Sequence, residues 1–381
     1  MFVVLLAYLA FFSIALPDSM LGVAWPSMRL SFDQPLNAAG LVPPVGVAAA
    51  VVSTTLAPYL VRRVGVGRLL AGGTGLSGAA LAGSALSESW GWFLVTVALL
   101  GLASGAIDAT LNAYAARNFG PGRINLLHAS YGVGAVVSPL VVTAAIATGA
   151  GWRVAYGLVA GLLLAIAVVF VAARTRWHPA TAPPPHQPAA ASSGRVWTRA
   201  SLFGLLTVVA QTGLESSVAI WAYTFLTESR QVEALVAGGL VSGYWLTLVA
   251  GRIGFGRLGD RIGAWRVLAL ASGLLLAAAT LINVPRPEAA MAAVLLFGLA
   301  CAPVYPLLVL TTAERTSPAV ADRVIGLQAA ASSVGAAVLP GLVGLAIQGD
   351  GAAFCMAIAA LSVVVAVLLW SIGRGRGTVP R

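Results

Sequence analysis

Long apolar stretches separated by short polar connections run through the whole chain. A helix needs about 20 apolar residues to cross a bilayer, whereas the strands of a membrane β-barrel alternate apolar and polar positions over about 10 residues. The apolar runs here are long and rich in Gly and Ala, so the pattern predicts an all-α integral membrane protein with twelve transmembrane helices. We number these predicted spans 1 to 12 in chain order: 2–29, 37–61, 68–87, 90–116, 123–148, 152–173, 199–227, 233–256, 265–284, 288–313, 320–348 and 351–373.

Composition supports the membrane class. Only 9% of the residues are charged and 59% are hydrophobic, whereas a soluble globular chain carries about 25% charged residues. Cys301 and Cys355 lie inside predicted spans without the spacing of metal ligands, so we expect no metal site. The lipid bilayer is therefore the expected surrounding of most of the chain.

The arginines are distributed unevenly between the two sides of the predicted bundle. All 22 basic residues are Arg, and 17 of them fall in the even-numbered connections, the central linker or the C-terminal tail. Only Arg29, Arg153, Arg230 and Arg286 lie on the opposite side. By the positive-inside rule both termini are cytoplasmic, as expected for a multi-pass protein of the bacterial inner membrane. The net charge of +10 thus reflects membrane orientation and does not indicate nucleic-acid binding.

A stretch rich in Pro, Ala and Ser follows Trp177 and interrupts the apolar pattern. Such a composition does not form a packed core and predicts a flexible linker. The expected organisation is an N-terminal six-helix bundle at 1–175, a cytoplasmic linker at 176–198, a C-terminal six-helix bundle at 199–373 and a cytoplasmic tail at 374–381. An even number of spans in each half gives the two halves the same orientation in the membrane.

The two halves also share short motifs about 200 residues apart. The sequence G-R-L-G-D-R-I-G at 256–263 follows span 8, and P-Y-L-V-R-R-V-G at 58–65 occupies the matching position after span 2. Likewise R-I-N-L-L-H-A at 123–129 corresponds to R-V-I-G-L-Q-A at 323–329. Duplicated sets of membrane helices are typical of secondary transporters, which bind solute between repeats.

Twelve spans, a central linker and G-x-L-x-D-R-x-G after span 8 resemble the major facilitator superfamily. That resemblance implies two pseudo-symmetric six-helix bundles around a central cavity, with spans 1, 4 and 7 beside the cavity. Three further stretches are similar to the fucose permease (fucose:proton symporter) group and its uncharacterised bacterial relatives: G-V-A-W-P-S-M-R at 22–29, G-A-I-D-A-T-L-N-A-Y at 105–114 and L-H-A-S-Y-G at 127–132. In that group, acids on spans 1 and 4 couple sugar transport to protons.

Three acids lie deep inside predicted spans, namely Asp18 in span 1, Asp108 in span 4 and Glu215 in span 7. An acid at the centre of a spanning helix costs about 2.5–3.5 kcal/mol on insertion scales. Such a group must be paired, hydrated in a cavity or protonated, and burial favours the protonated form. We predict a proton-coupling role for these acids, against the alternative that one or more of them only bonds neighbouring side chains.

Amide side chains lie near two of the acids. Asn112 follows Asp108 by four residues and Gln211 precedes Glu215 by four, so that each pair shares one face of its helix. Carboxyl and amide groups together offer both donors and acceptors, which suits a hydroxylated ligand. We therefore place Asn112 and Gln211 among the candidate substrate-binding residues.

Five further residues complete the candidate substrate site. His128 lies in span 5 and either pairs with Asp108, titrates itself or packs as a polar residue; Gln328 is its repeat partner. Trp25 and Trp221 occupy matching positions in spans 1 and 7 and would either stack on a sugar or anchor the helices at the membrane interface. Tyr305 lies in P-V-Y-P at 303–306, where proline must interrupt the helix.

Charged residues near the cytoplasmic ends of spans 8 and 10 predict a gate. The resemblance implies that Asp260, beside Arg261, latches against the N-terminal amides of span 11. Arg252 lies inside span 8 and needs an acid, and we predict Glu314 as its partner. In the first half Arg62 stands where the motif has Asp, so a carboxylate latch is not expected there.

The function expected from these features is proton-coupled symport of a small neutral polar solute, such as a sugar or polyol, by alternating access. A proton-driven exporter of drugs or metabolites is the first alternative, and sodium coupling stays open because an acid beside free carbonyls holds a cation. A sensor that binds solute without moving it is a remote alternative. The sequence lacks hydrolase, zinc-protease and phosphate-loop motifs, so we expect neither an enzyme nor a cofactor. A monomer is expected.

Overall fold

The computed structural model divides the chain into two compact units, residues 1–187 and residues 188–381. The structure describes residues 2–177, 196–316, 318–347 and 351–374, apart from the side chains of residues 121, 318, 319 and 374. Every regular element in these ranges is helical, which confirms the predicted fold class. Most of the predicted linker (176–198) and all but the first residue of the predicted tail (374–381) lie outside the described residues.

The first unit contains seven α-helices, because span 1 is formed by two of them. A 3₁₀ helix at Leu36–Leu41 precedes α3, and another at Arg174–Arg176 follows α7. The helices are α1 (Phe2–Asp18), α2 (Leu21–Ser31), α3 (Val42–Val64), α4 (Val66–Ala85), α5 (Trp90–Asn118), α6 (Pro121–Ala147) and α7 (Trp152–Ala172). A buried apolar cluster joins α1, α4, α5, α6 and α7.

The second unit has eight described α-helices, three of which form span 10. A π-helical turn at Phe225–Ser229 extends the first of them. The helices are α8 (Arg199–Thr224), α9 (Ala234–Ile262), α10 (Ala264–Ile282), α11 (Pro287–Cys301), α12 (Val304–Leu310), α13 (Thr312–Arg315), α14 (Pro318–Ile347) and α15 (Gly351–Arg374). Helix α8 packs against α14 and α15, and α10 packs against α11 and α15.

Most of the predicted spans are helices that are able to cross a membrane. Ten described helices are long and apolar enough to do so, and α1 with α2 gives an eleventh if this pair, bent by 41°, is one span. The remaining predicted span, 68–87, forms α4, whose 20 residues include six glycines, two serines and a threonine. These small residues lower the hydropathy of α4 but permit close packing, and α4 lies against α5 and α7.

Proline determines where two of the spans are interrupted. Pro17 has no N–H to donate to the carbonyl of Ser13, and the chain leaves the helix between Asp18, the last residue of α1, and Leu21, the first of α2. Span 10 is interrupted between α11 and α12, where the sequence P-V-Y-P at 303–306 predicts a break. The first of these interruptions places Asp18 at a helix end.

The repeat seen in the sequence extends to the packing inside each unit. In the first unit a Cβ atom at Gly134 of α6 would lie 2.5 Å from the carbonyl oxygen of Phe12 in α1. In the second unit a Cβ atom at Gly335 of α14 would overlap the carbonyl oxygen of Val209 in α8. Helix backbones approach this closely only where a small residue leaves room. Spans 1 and 5 therefore pack in the same way as spans 7 and 11.

Candidate functional site

Asp18 is bonded to a neutral partner on another helix. The Tyr131 hydroxyl of α6 donates a hydrogen bond of 2.9 Å to Asp18 Oδ2. The next residue, Ser19, is buried and its Oγ lies 2.6 Å from Ser138 Oγ, also on α6. Asp18 itself keeps an exposed surface. Two polar contacts therefore link the residues between α1 and α2 to α6, and the Asp18 carboxylate stays accessible in spite of its bond to Tyr131.

Asp108 also has a neutral partner, this time on its own helix. Asn112 Nδ2 donates a hydrogen bond of 3.0 Å to Asp108 Oδ1, which confirms the predicted pairing on one face of α5. At about 100° per residue, Trp92 and Val95 lie on the opposite side of the helix, where both are exposed. Helix α5 therefore has an accessible polar face, which carries Asp108, and an accessible apolar face.

His128 lies on α6 and is exposed. Its ring meets Phe11 edge to face, with the ring centroids 5.2 Å apart. The hydrogen bond seen at Asp108 is the one from Asn112, so the suggested pair of His128 with Asp108 stays a prediction. Three residues separate His128 from Tyr131, so the imidazole and the partner of Asp18 share one face of α6.

Glu215 has a more crowded environment than the acids of the first unit. Gln211 Nε2 donates a hydrogen bond of 2.8 Å to Glu215 Oε2, as the four-residue spacing predicts. Arg252 of α9 places Nη2 3.6 Å from Glu215 Oε1, and the Tyr244 hydroxyl donates to the backbone carbonyl of Glu215 at 2.9 Å. Gln211 is fully buried, and its Oε1 has no hydrogen-bond partner among the described residues. Glu215 therefore combines an amide donor with a cationic partner.

The partner predicted for Arg252 is wrong. We expected Glu314, but the acid beside Arg252 is Glu215. Glu314 instead accepts a hydrogen bond of 3.3 Å from Trp265 Nε1 of α10. Arg252 lies near the middle of α9, whereas Glu314 belongs to the short helix α13 that follows α12. Glu215, held by Gln211, meets Arg252 across the contact between α8 and α9.

Several predicted substrate contacts are buried inside their own unit. Trp25 Nε1 donates 2.7 Å to the carbonyl of Leu36, and Trp221 Nε1 donates 2.8 Å to that of Pro340. Neither Trp side chain has exposed surface, so neither offers a ring face to a solute in this conformation. This packing differs from the stacking role that we expected.

The two remaining candidate substrate-binding residues, Gln328 and Tyr305, differ in solvent exposure. Gln328 is fully buried on α14, and its Oε1 accepts a hydrogen bond of 3.1 Å from Thr312 Oγ1. Its amide nitrogen has no hydrogen-bond partner within the described part of the chain. Tyr305 is half-buried in the first turn of α12, next to the interruption of span 10. Gln328 is therefore a packing residue in this conformation, whereas Tyr305 keeps exposed surface.

The predicted gate residues lie at the end of α9. Asp260 and Arg261 are exposed, and Gly263 ends the helix with φ of 89°, a conformation that favours glycine. Gly65 ends α3 in the same way with φ of 83°. Asp260 forms no ion pair or hydrogen bond with a described residue, and the start of α14 is only partly described. The latch to span 11 therefore stays a prediction.

Two functional neighbours were missed from the sequence. Tyr131, part of the motif at 127–132, is the residue that bonds Asp18. Its position three residues after His128, on the same helix face, was the available signal. Tyr244, which bonds the backbone of Glu215, had no such signal. Among the described residues no three His, Cys, Asp or Glu side chains come together as a metal site would require.

Comparison with known proteins agrees with this architecture. The chain is similar to a bacterial homologue of the human lysosomal transporter Spinster in an inward-facing, unoccupied conformation, with a TM-score of 0.78, 13% identity and coverage of 98% of this chain and 96% of that one. The nucleoside transporter NupG has a TM-score of 0.76 and 13% identity, with coverage of 98% of this chain and 100% of that one. The peptide transporter POT in complex with sulfate has a TM-score of 0.74 and 16% identity, with coverage of 98% of this chain and 94% of that one.

At these identities the solved structures establish the fold alone. A comparison with curated proteins finds no match. The sequence itself matches the Major Facilitator Superfamily over residues 7–338, and a second match covers residues 203–380. Because the first match alone includes most of the chain, this protein belongs to the Major Facilitator Superfamily.

Proposed function

We propose that the protein is a proton-coupled symporter of a small neutral polar solute, such as a sugar or polyol, and that it works by alternating access. The single observation that carries this proposal is the environment of Asp18 and Asp108. Each carboxylate lies inside a predicted span, keeps exposed surface and is hydrogen-bonded to an uncharged side chain. The motifs at 22–29, 105–114 and 127–132 support a further part of the proposal, namely that the protein is related to the fucose permease group.

A neutral hydrogen-bond partner allows a carboxylate to gain a proton without leaving an unbalanced charge. When Asp18 is ionised, the Tyr131 hydroxyl donates to it; when Asp18 is protonated, the same hydroxyl is able to accept. Asn112 offers both an N–H donor and a carbonyl acceptor to Asp108 in the same way. Because an ionised carboxylate is costly in an apolar environment, loss of water around either acid favours proton uptake.

Glu215 is less suited to carry the proton, because Arg252 balances its charge. Protonation of Glu215 would leave Arg252 as an uncompensated cation inside α9, which is unfavourable in a membrane span. We therefore assign the transported proton to Asp18 and Asp108, and to Glu215 a role in charge balance and hydrogen bonding. This assignment narrows the expectation from sequence, in which all three acids were candidates for coupling.

The proposed solute is neutral and hydroxylated because the accessible polar groups include both donors and acceptors. Asn112, His128 and Tyr305 keep exposed surface and are the proposed contacts. Gln211 is buried in this conformation and holds Glu215 by a hydrogen bond. Solutes of this kind exchange hydrogen bonds with water for hydrogen bonds with amide, imidazole and carboxylate groups. We place the protein in the bacterial inner membrane with both termini in the cytoplasm.

The test is transport in proteoliposomes with an imposed pH gradient and a panel of radiolabelled sugars and polyols. Accumulation of a solute that is driven by protons moving down their gradient, with alkalinisation of the medium, identifies a symporter. Asp18→Asn and Asp108→Asn are expected to abolish accumulation driven by the gradient, whereas Glu88→Gln, in the exposed loop before α5, is the matched control and keeps it. Solute extrusion driven by proton entry would instead establish the exporter.

Accumulation at the wild-type level in both Asn variants would refute the assignment of the proton. Replacement of the proton gradient by a sodium gradient tests the ion separately. If only sodium drives uptake, Asp18 and Asp108 are ion ligands rather than proton carriers.

A further inference from the structure

An apolar groove of about 690 Å³ runs between α10 and α15 in the second unit. It carries no charged side chain in its lining. The residues that shape it are Trp265, Ala269 and Gly273 on α10, and Val363, Val367 and Trp370 on α15. These positions follow one another at intervals of three or four residues, so each helix contributes one continuous side to the groove.

The length of the groove suits an extended hydrocarbon chain. Ala269 and Gly273 are small lining residues on α10, and a Cβ atom at Gly273 would meet nothing within 4 Å. The lining on α10 extends from Trp265 to Leu276, which at 1.5 Å per residue is about 17 Å. The hydrocarbon core of a bilayer is about 30 Å thick. The groove is therefore about as long as one leaflet is deep.

Positive charge is concentrated at the end of the groove that begins with Trp265. Arg266 is the next residue of α10 and is exposed, and Arg261, also exposed, lies at the end of α9, before the Gly263 that separates the two helices. The same end is the N-terminus of α10, whose N-cap, Gly263, supplies no side-chain hydrogen bond. A helix N-terminus carries partial positive charge and attracts anions. Two acids lie near this end, namely Asp260 beside Arg261 and Glu314, which accepts a hydrogen bond from the Trp265 indole.

The sequence adds a third basic residue to the same end. Arg374 directly follows Gly373, the last residue of α15 that lines the groove. Trp265 and Trp370 also lie within the groove near this end, and tryptophan concentrates at the depth of lipid headgroups. The apolar groove is about as long as one leaflet and ends at aromatic and basic groups. A phospholipid has the same order, with an apolar acyl chain that ends at an interfacial glycerol and an anionic phosphate.

We propose that this groove binds one acyl chain of an anionic phospholipid, with the phosphate at the N-terminus of α10 beside Arg266. The acyl chain would lie along Ala269 and Gly273 and end near Leu276. The headgroup lies in the leaflet on the side of the arginines. This site is separate from Asp18, Asp108 and the proposed solute contacts, although Arg261 and Glu314 near its headgroup end are also predicted gate residues.

The test is photo-crosslinking of the full chain with phosphatidylglycerol that carries a diazirine on its acyl chain. Label is expected on α10 and α15 peptides, and excess unlabelled phosphatidylglycerol is expected to compete better than phosphatidylcholine. Gly273→Leu fills the groove and should remove this label. Gly161→Leu on α7 is the matched control, because Gly161 is also exposed and a Cβ atom there meets nothing within 4 Å.

A second variant tests the headgroup. Arg266→Gln should weaken competition by phosphatidylglycerol about fivefold, the effect expected for one basic residue at an anionic surface, and leave phosphatidylcholine unaffected. Label that persists in Gly273→Leu at the level of Gly161→Leu would overturn the proposed chain position. Equal competition by the two lipids, or protection of the groove by a second copy of the protein in place of lipid, would overturn the anionic phospholipid.

Discussion

Gly335→Ala is expected to force α14 away from α8, and Gly326→Ala on the same helix is its matched control. A Cβ atom at Gly335 would overlap the carbonyl oxygen of Val209 and lie 2.6 Å from Thr212 Oγ1. A Cβ atom at Gly326 would meet nothing within 4 Å. Both substitutions add the same methyl group to the same helix, so they differ in what that methyl group contacts.

The magnitude follows from two opposing effects. Alanine is favoured over glycine inside a helix by about 0.5–1 kcal/mol, and both variants gain this stabilisation. Only Gly335→Ala adds volume to a filled space, which costs about 1–3 kcal/mol in a well-packed core. The difference in the free energy of unfolding between the two variants should therefore be about 1–3 kcal/mol. Separation of the helices would also stretch the 3.0 Å hydrogen bond from Thr212 Oγ1 to the Ser332 carbonyl.

The assay is unfolding of the purified protein in mixed micelles by titration with dodecyl sulfate, followed by tryptophan fluorescence. The corresponding pair in the first unit, Gly134→Ala and Gly122→Ala on α6, should show the same order of stability. A Cβ atom at Gly134 would lie 2.5 Å from the Phe12 carbonyl oxygen, whereas one at Gly122 would meet nothing within 4 Å. Equal stability within each pair would refute the close approach of these helices.

Three further perturbations test individual contacts. Arg252→Ala should lower the free energy of unfolding by about 1–2 kcal/mol. This is less than the loss expected for a fully buried ion pair, because the Arg252 side chain is 44% exposed. The double variant Arg252→Ala, Glu215→Ala should recover part of the lost stability in the same micelle titration, and no recovery would contradict the pairing. Trp221→Phe should cost about 1–3 kcal/mol, because it removes the indole hydrogen bond to the Pro340 carbonyl and part of a fully buried ring; unchanged stability in the same titration would show that the bond and the packing contribute nothing. Asp260→Asn should impair transport in proteoliposomes at near-normal expression while Arg62→Ala has little effect, and equal loss in both would contradict an asymmetric gate.

Contacts within one helix could be predicted from the spacing of residues alone. The pairs Asp108–Asn112 and Gln211–Glu215 are hydrogen-bonded as their four-residue separation indicates, because the geometry of a helix fixes which side chains share a face. The interruption of span 10 was predictable for a similar reason, since proline lacks the N–H that a continuous helix needs. Contacts between helices were predicted less well.

The sequence by itself determined the helical membrane fold, because a chain in lipid must satisfy its backbone groups within each segment and long apolar runs do so as helices. It also determined the duplication and the presence of acids inside the spans. Only the tertiary structure decided that Asp18 meets Tyr131, 113 positions later, and that Arg252 meets Glu215 rather than Glu314. Those partners depend on the rotation and tilt of each packed helix, which arise from many small contacts together and leave no local pattern in the sequence.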